Sequence, residues 1–208
     1  MSNSGEQLNT SYPVNQIVGY HRKIEGELER FLRQHIPARS ALLVNPLFYQ
    51  SAYDYVLRPS KRLVPLVYLL THEIFDQSTI RGNMSVLSVA TMLEIRHAAI
   101  LIHDDVADKD ERRGPLLTAH KALEQQGYGD DGPSAALFLA DALFALAEMA
   151  IVEADIESTL KVRVFQYLLD YTARTAEGQA DELFLTNRYS VEEMPKEKLS
   201  EVYIAKMR

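Results

Sequence analysis

Val86-Leu87-Ser88-Val89-Ala90-Thr91-Met92-Leu93-Glu94-Ile95-Arg96-His97-Ala98-Ala99-Ile100-Leu101-Ile102-His103-Asp104-Asp105-Val106-Ala107-Asp108 is the stretch on which the fold turns. Its apolar residues do not alternate with polar ones, so a half-buried strand is excluded, and they continue far beyond strand length. The pattern predicts one long helix, roughly Ser85 to Asp108, apolar on most sides and therefore packed among other helices. Glu94, Arg96 and His97 interrupt the apolar run well before the ~20 residues that a membrane-spanning helix requires. A buried helix of a soluble protein is the expectation.

The flanking sequence repeats the theme. Upstream, Ile17, Tyr20, Ile24, Leu28, Phe31 and Leu32 recur at spacings of three and four, predicting an amphipathic helix that stops before Pro37. A second apolar run, Leu47 to Leu57, ends at Pro59. Ser60 then reads as the cap of a helix over Lys61 to Phe75, and Gly82-Asn83 break the chain before the long helix. Downstream, a charged loop (Lys109 to Pro115) leads to a short helix near Ala119 to Gln125. A glycine-rich loop with Ser134 as cap precedes a nearly all-apolar helix, Ala135 to Ala154. Further helices are predicted from Glu157 to Leu185 and from about Glu197. The expected fold is all-α, with seven or eight helices in one domain over residues 15–208, preceded by a polar tail over residues 1–14.

Composition fits this picture and excludes some functions. The chain has 208 residues, 47% of them hydrophobic and 25% charged, with a formal net charge of -7. So acidic a chain has no general attraction to nucleic acid or to anionic lipid. A phosphorylated ligand must be held by a local cluster of cations or by metal. There is no cysteine, which rules out disulfides and thiolate metal sites and suits a reducing cytoplasm. Met1 to Tyr12 is polar, so a signal peptide is not expected.

The chemistry concentrates at the end of the long helix. Asp104 and Asp108 stand four positions apart, on one helical face and roughly 6 Å apart along the axis. Like charges there, at the negative end of a helix dipole, oppose helix formation unless a cation is present. Hard oxygen donors without cysteine favour Mg²⁺, which takes one or two carboxylates and leaves positions for phosphate oxygens. Arg112 and Arg113 follow, offering bidentate donors to a phosphate. Upstream, Lys61 and Arg62 open a predicted helix whose N-terminus favours anions. His97 lies seven residues before Asp104, two turns along the same face. These residues together describe a diphosphate grip.

The same segments resemble the trans-isoprenyl (polyprenyl) diphosphate synthases across about Gln16 to Arg208. Glu94 to Asp108 is similar to their first aspartate-rich region, and Pro59-Ser60-Lys61-Arg62-Leu63-Val64-Pro65 to their Gly-Gly-Lys-Arg-x-Arg-Pro. Asp141-Ala142-Leu143 resembles their Gly-Asp-x-Leu, Gly178-Gln179 with Asp181 their Gly-Gln-x-x-Asp, and Tyr203 to Lys206 the segment ending in Lys-Thr.

The resemblance implies an isoprenoid-synthase-type helical bundle and a prenyltransferase that joins an allylic diphosphate to isopentenyl diphosphate. Asp104, Asp105 and Asp108 would be catalytic, with Asp104 and Asp108 holding Mg²⁺. Lys61, Arg62, His97, Arg112, Arg113 and Lys206 would bind substrate. A cytoplasmic homodimer, without nucleic acid or a membrane span, is the implied setting. Ala99, five residues before the first aspartate, is small where the family closes its pocket floor.

Four departures qualify the likeness. Pro59 and Ser60 replace two glycines, and Val64 replaces the motif's second arginine. Met207 replaces a threonine. The loop before Arg112 is shorter when the chain is aligned on Arg-Arg-Gly, the preferred alignment; aligned backwards from His120, Arg113 and Gly114 occupy the two arginine positions. The family's second aspartate-rich motif would lie beyond Arg208, so the domain is expected to be incomplete at its C-terminal end. A class I terpene cyclase shares the aspartate motif but needs no second diphosphate site, and a non-catalytic partner subunit is the remaining alternative.

Overall fold

A computed structural model describes residues 11–75, 84–190, 193 and 195–207. The chain divides after Asp155 into two compact units, each taken by itself. The first contains α1 (Ser11–Ser40), α2 (Leu47–Val56), α3 (Leu63–Phe75), α4 (Met84–Asp108), a minimal hairpin of β1 (Arg112–Arg113) and β2 (Leu116–Leu117), α5 (Ala119–Leu123) and α6 (Gly132–Glu153). The second contains α7 (Ser158–Thr186) and α8 (Lys196–Met207), packed on each other. Apart from that hairpin the described residues form no sheet, so the all-α reading holds. Gly82-Asn83 lie outside the described residues.

The core of the first unit is the pair α4 and α6. On α6, Ala136, Leu139, Ala140, Leu143, Ala147, Ala150 and Ile151 form one buried stripe at helical spacing. Its many alanines let α4 approach closely, and α4 presents Ala90, Ile95, Ala98, Ala99 and Ile102. The opposite face of α6 leaves Leu137 and Phe138 exposed. By length and composition alone, Met84–Asp108 and Ala119–Glu153 are apolar enough to cross a membrane, and both are half or more buried against protein.

Several boundaries differ from those expected. α1 begins at Ser11, inside the stretch read as a tail, and it runs past Pro37 to Ser40. Proline there removes a single backbone donor close to the helix end, where three residues remain to be wound. α3 starts at Leu63, two residues after the expected Lys61. A helix begun at Lys61 would need Pro65 to donate an N–H to the Lys61 carbonyl, which it cannot. Starting at Leu63 puts Pro65 in the first turn, where no donor is needed. Ser60 Oγ still accepts the Arg62 N–H at 3.3 Å. Ser134 is not a cap: α6 begins at Gly132, with Pro133 in the first turn.

The end of α4 is built by its own backbone. Lys109 takes φ 59°, the Asp110 N–H donates to the Asp105 carbonyl at 3.0 Å, and the Lys109 N–H to the Val106 carbonyl at 3.3 Å. This is a Schellman closure with lysine in the left-handed position that glycine usually takes. It fixes Asp108 as the last helical residue and turns the chain into the hairpin. Gly114, at φ 63°, opens the two-residue turn between Arg113 and its cross-strand partner Leu116.

Candidate active site

The hairpin brings an arginine back onto the helix it has just left. Arg113 Nε lies 2.7 Å from Asp105 Oδ1, and its Nη2 lies 3.1 Å from Asp104 Oδ2. Asp105 is fully buried, and its second oxygen accepts the Tyr55 hydroxyl at 2.9 Å. Burial pushes the Tyr55 phenol well above its usual range, and the Asp105 charge adds to this, so the phenol stays a donor. Burial alone would weaken the charge on Arg113, but the Asp105 hydrogen bond and charge outweigh it and hold the guanidinium more firmly protonated than usual. The crowding of carboxylates at the end of α4 is thus partly relieved from within the chain.

The three aspartates are consequently not equivalent. Asp105 has both oxygens committed inside the protein and acts on its neighbours, not on solvent. Asp104 is about one-third exposed, with one oxygen on Arg113, and Asp108 is exposed, four positions on along the helix. Among the described residues no group of three or more His, Asp or Glu side chains converges to hold a metal unaided. Two such carboxylates, with the remaining positions left to water and phosphate, are the donor set that Mg²⁺ accepts. Asp104 and Asp108 therefore fit the ion by donor type, and Asp105 helps position Asp104 through their shared partner Arg113.

Beside this cluster lies a cavity of about 400 Å³. Glu94, His97, Ala98 and Leu101 of α4 line it, whereas Asp104 does not. The end of α2 contributes Tyr55 and Arg58, and the hairpin contributes Arg113 and Gly114. Arg112 points elsewhere. As the alternate residue of a strand it is exposed, and its Nη1 donates to the Pro115 carbonyl at 3.0 Å.

Arg62 also lines the cavity, but its guanidinium is spent inside the protein. It is 2% exposed and donates to Glu25 at 2.6 Å, to Glu94 at 2.7 Å, and to the carbonyls of Val56 at 2.8 Å and Arg58 at 3.1 Å. Burial works against its charge, and the two carboxylates more than restore it. Its backbone adopts φ 51°, which turns the chain from the Pro59-Ser60 corner into α3. Lys61 is exposed and does not line the cavity. The Lys206 side chain lies outside the described residues, and Gln179 and Asp181 belong to the second unit.

Sequence reasoning passed over Tyr55, Arg58, Glu25 and Glu94 as participants. Arg58 carried the one readable signal, a further cation immediately before Pro59-Ser60-Lys61-Arg62. Tyr55 gave none, because its role depends on a contact with Asp105, fifty positions away in sequence.

The chain was compared with known proteins. The sequence model of the family "Polyprenyl synthetase" matches residues 46–206. The geranylfarnesyl diphosphate synthase of Aeropyrum pernix is 29% identical over 135 residues, which is 64% of this chain and 39% of that protein. The geranylgeranyl pyrophosphate synthase of Geoglobus acetivorans is 25% identical over 181 residues, 86% of this chain and 50% of that one. The chain thus spans half or less of the length of these curated relatives. A crystal structure of geranylgeranyl pyrophosphate synthase from Corynebacterium glutamicum, complexed with isoprenyl diphosphate and magnesium, superposes with a TM-score of 0.74 at 21% identity. That match covers 88% of this chain and 54% of the other, and it establishes the shared helical fold. With the family match extending over most of its length, the chain belongs to the polyprenyl synthetase family.

Proposed function

We propose that this chain carries the first metal-binding half of a prenyltransferase that condenses an allylic diphosphate with isopentenyl diphosphate, giving a longer trans-polyprenyl diphosphate. The observation that carries the reading is Arg113, which lines a cavity with Arg58 and His97 and also binds Asp104 of the pair Asp104 and Asp108. Carboxylates suit a metal-bridged diphosphate, and guanidiniums suit a diphosphate bound directly.

Asp104 and Asp108 would hold Mg²⁺, which when bound neutralises charge on the departing diphosphate. Asp105, itself held by Tyr55, fixes Arg113, which lines the cavity. The arginines and His97 hold the second diphosphate, so that the isopentenyl double bond faces the allylic carbon. The allylic carbon–oxygen bond breaks with its electron pair going to the departing diphosphate, the isopentenyl alkene supplies the electrons of the new carbon–carbon bond, and the proton lost from the adjacent carbon passes to the released diphosphate. Leu101, Ala98 and Leu116 give that space an apolar wall that keeps water from the allylic cation. Lys61, Arg112 and Lys206 remain candidates for substrate contact, a cytoplasmic homodimer remains the proposed setting, and the small Ala99 favours longer products.

The test is incubation of the purified chain with Mg²⁺ and a radiolabelled allylic diphosphate, with and without isopentenyl diphosphate. A longer prenyl diphosphate that appears only with both substrates is the expected result. A hydrocarbon formed from the allylic substrate alone would instead mark a terpene cyclase. No product from either, with stimulation of an active synthase on mixing, would mark a partner subunit.

A further inference from the structure

The Lys-Arg motif is the natural place to seek a cation for the second diphosphate, yet the Arg62 guanidinium is occupied by two carboxylates and two carbonyls. Val64 takes away the motif's second arginine. The cavity still needs a positive group on that wall if it is to hold an anion. Arg58 stands there.

Its surroundings differ from those of Arg62 in every respect that matters. The guanidinium carbon lies over the Tyr55 ring, 3.7 Å from its centroid, a cation–π contact that holds the group against the end of α2. Its Nε is buried and has no hydrogen-bond partner, and Nη1 reaches the Leu117 carbonyl only at 3.4 Å. Among the described residues no carboxylate forms an ion pair with it. A buried, charged donor left unmade is costly, and such groups are found where a ligand completes them. Burial lowers its proton affinity, the nearby Tyr55, Asp105 and Asp54 partly restore it, and Arg113, on the same cavity, acts against it to a lesser degree. An arriving dianion would give this guanidinium, which lines the cavity and forms no ion pair of its own among the described residues, a counter-charge.

We infer that Arg58 is a substrate-binding residue that grips the diphosphate of isopentenyl diphosphate, in the place left open by Val64 and by the internal commitment of Arg62. Arg62 serves it as a positioning residue, since Arg62 Nη2 holds the Arg58 carbonyl and thereby sets the backbone from which the Arg58 side chain departs. Arg58, Arg113 and His97 line the cavity that the anion would occupy. This inference rests on the prenyltransferase reading above.

Calorimetric titration with isopentenyl diphosphate tests it, using the wild-type chain, Arg58→Gln, and Arg33→Gln as a surface control of equal charge change. Loss of charge-assisted hydrogen bonds predicts a dissociation constant raised about 10- to 100-fold in Arg58→Gln and unchanged in Arg33→Gln. In turnover, the rise is expected in KM for isopentenyl diphosphate and not in KM for the allylic substrate. Wild-type binding with equal affinity in Arg58→Gln, or a change confined to the allylic KM, overturns the role of Arg58 and leaves the prenyltransferase reading standing. A wild-type chain that binds no isopentenyl diphosphate overturns both. If circular dichroism shows Arg58→Gln unfolded, Arg58→Lys decides: lysine lacks the planar fork, so binding several-fold weaker supports the role and unchanged binding refutes it.

Discussion

Two adjacent aspartates on one helix have opposite fates. Asp104 keeps about a third of its side chain exposed while sharing Arg113, whereas Asp105 is sealed between Tyr55 and Arg113. Asp104→Asn is therefore expected to lower kcat by about 100-fold or more while costing less than about 1 kcal/mol of stability. Asp105→Asn should do the reverse in emphasis: it removes the buried member of an ion pair, at a cost on the order of 2–3 kcal/mol, less than for a fully buried pair because Arg113 is partly exposed. Urea unfolding of the two variants beside their steady-state rates separates these outcomes. Residue type made both aspartates conspicuous in the sequence, but nothing in the DDxxD pattern distinguishes a metal ligand from a buried anchor. The same limit applies to Arg62 and Arg58. Which guanidinium is consumed and which is left over depends on Glu25 and Glu94, carboxylates on two other helices that meet Arg62 only in the fold.

At the scale of elements, the helices were legible because their apolar spacing is long and regular, and the ends were less so. Pro65 moved the start of α3, Pro133 that of α6, and the hairpin after α4 is too short to leave an alternating pattern. The left-handed Lys109 that closes α4 offers a direct check. Lys109→Gly should stabilise the protein by about 0.5–1 kcal/mol, read as a higher urea midpoint at unchanged m-value. At the other end of this region, a Cβ on Gly132 would stand 2.4 Å from Glu124 Cγ and 2.6 Å from the His120 carbonyl oxygen. The Glu124 side chain can swing away, but the carbonyl cannot, so Gly132→Ala is expected to cost roughly 1–3 kcal/mol in the same assay. His120, beside it, is buried, and burial together with Lys121 lowers its pKa below the ordinary value. The folded state thus binds the proton less readily than the unfolded chain. Its contribution to stability is present above pH 6.5 and is lost as pH falls through and below that value, a loss that His120→Gln should flatten in melts between pH 7.5 and 5.

For the molecule as a whole, Arg113 supplies the end of α4 with a cation from within the chain, so on the proposed function metal serves the reaction and not the fold. Chelation with EDTA should abolish prenyl transfer yet leave the melting temperature within about 2 °C, a combination that a structural metal would not permit. The guanidinium of Arg62 has a different kind of consequence. Because it joins Glu25 of α1 to Glu94 of α4 from the corner before α3, the three positions can drift only together. A lineage that loses the arginine inherits two stranded acids and must replace Glu94 in nearly the same step. Orthologous sequences should therefore carry the trio intact or have exchanged it as a set, and hybrids that combine α1 from one lineage with α4 from another should fail wherever the set is split.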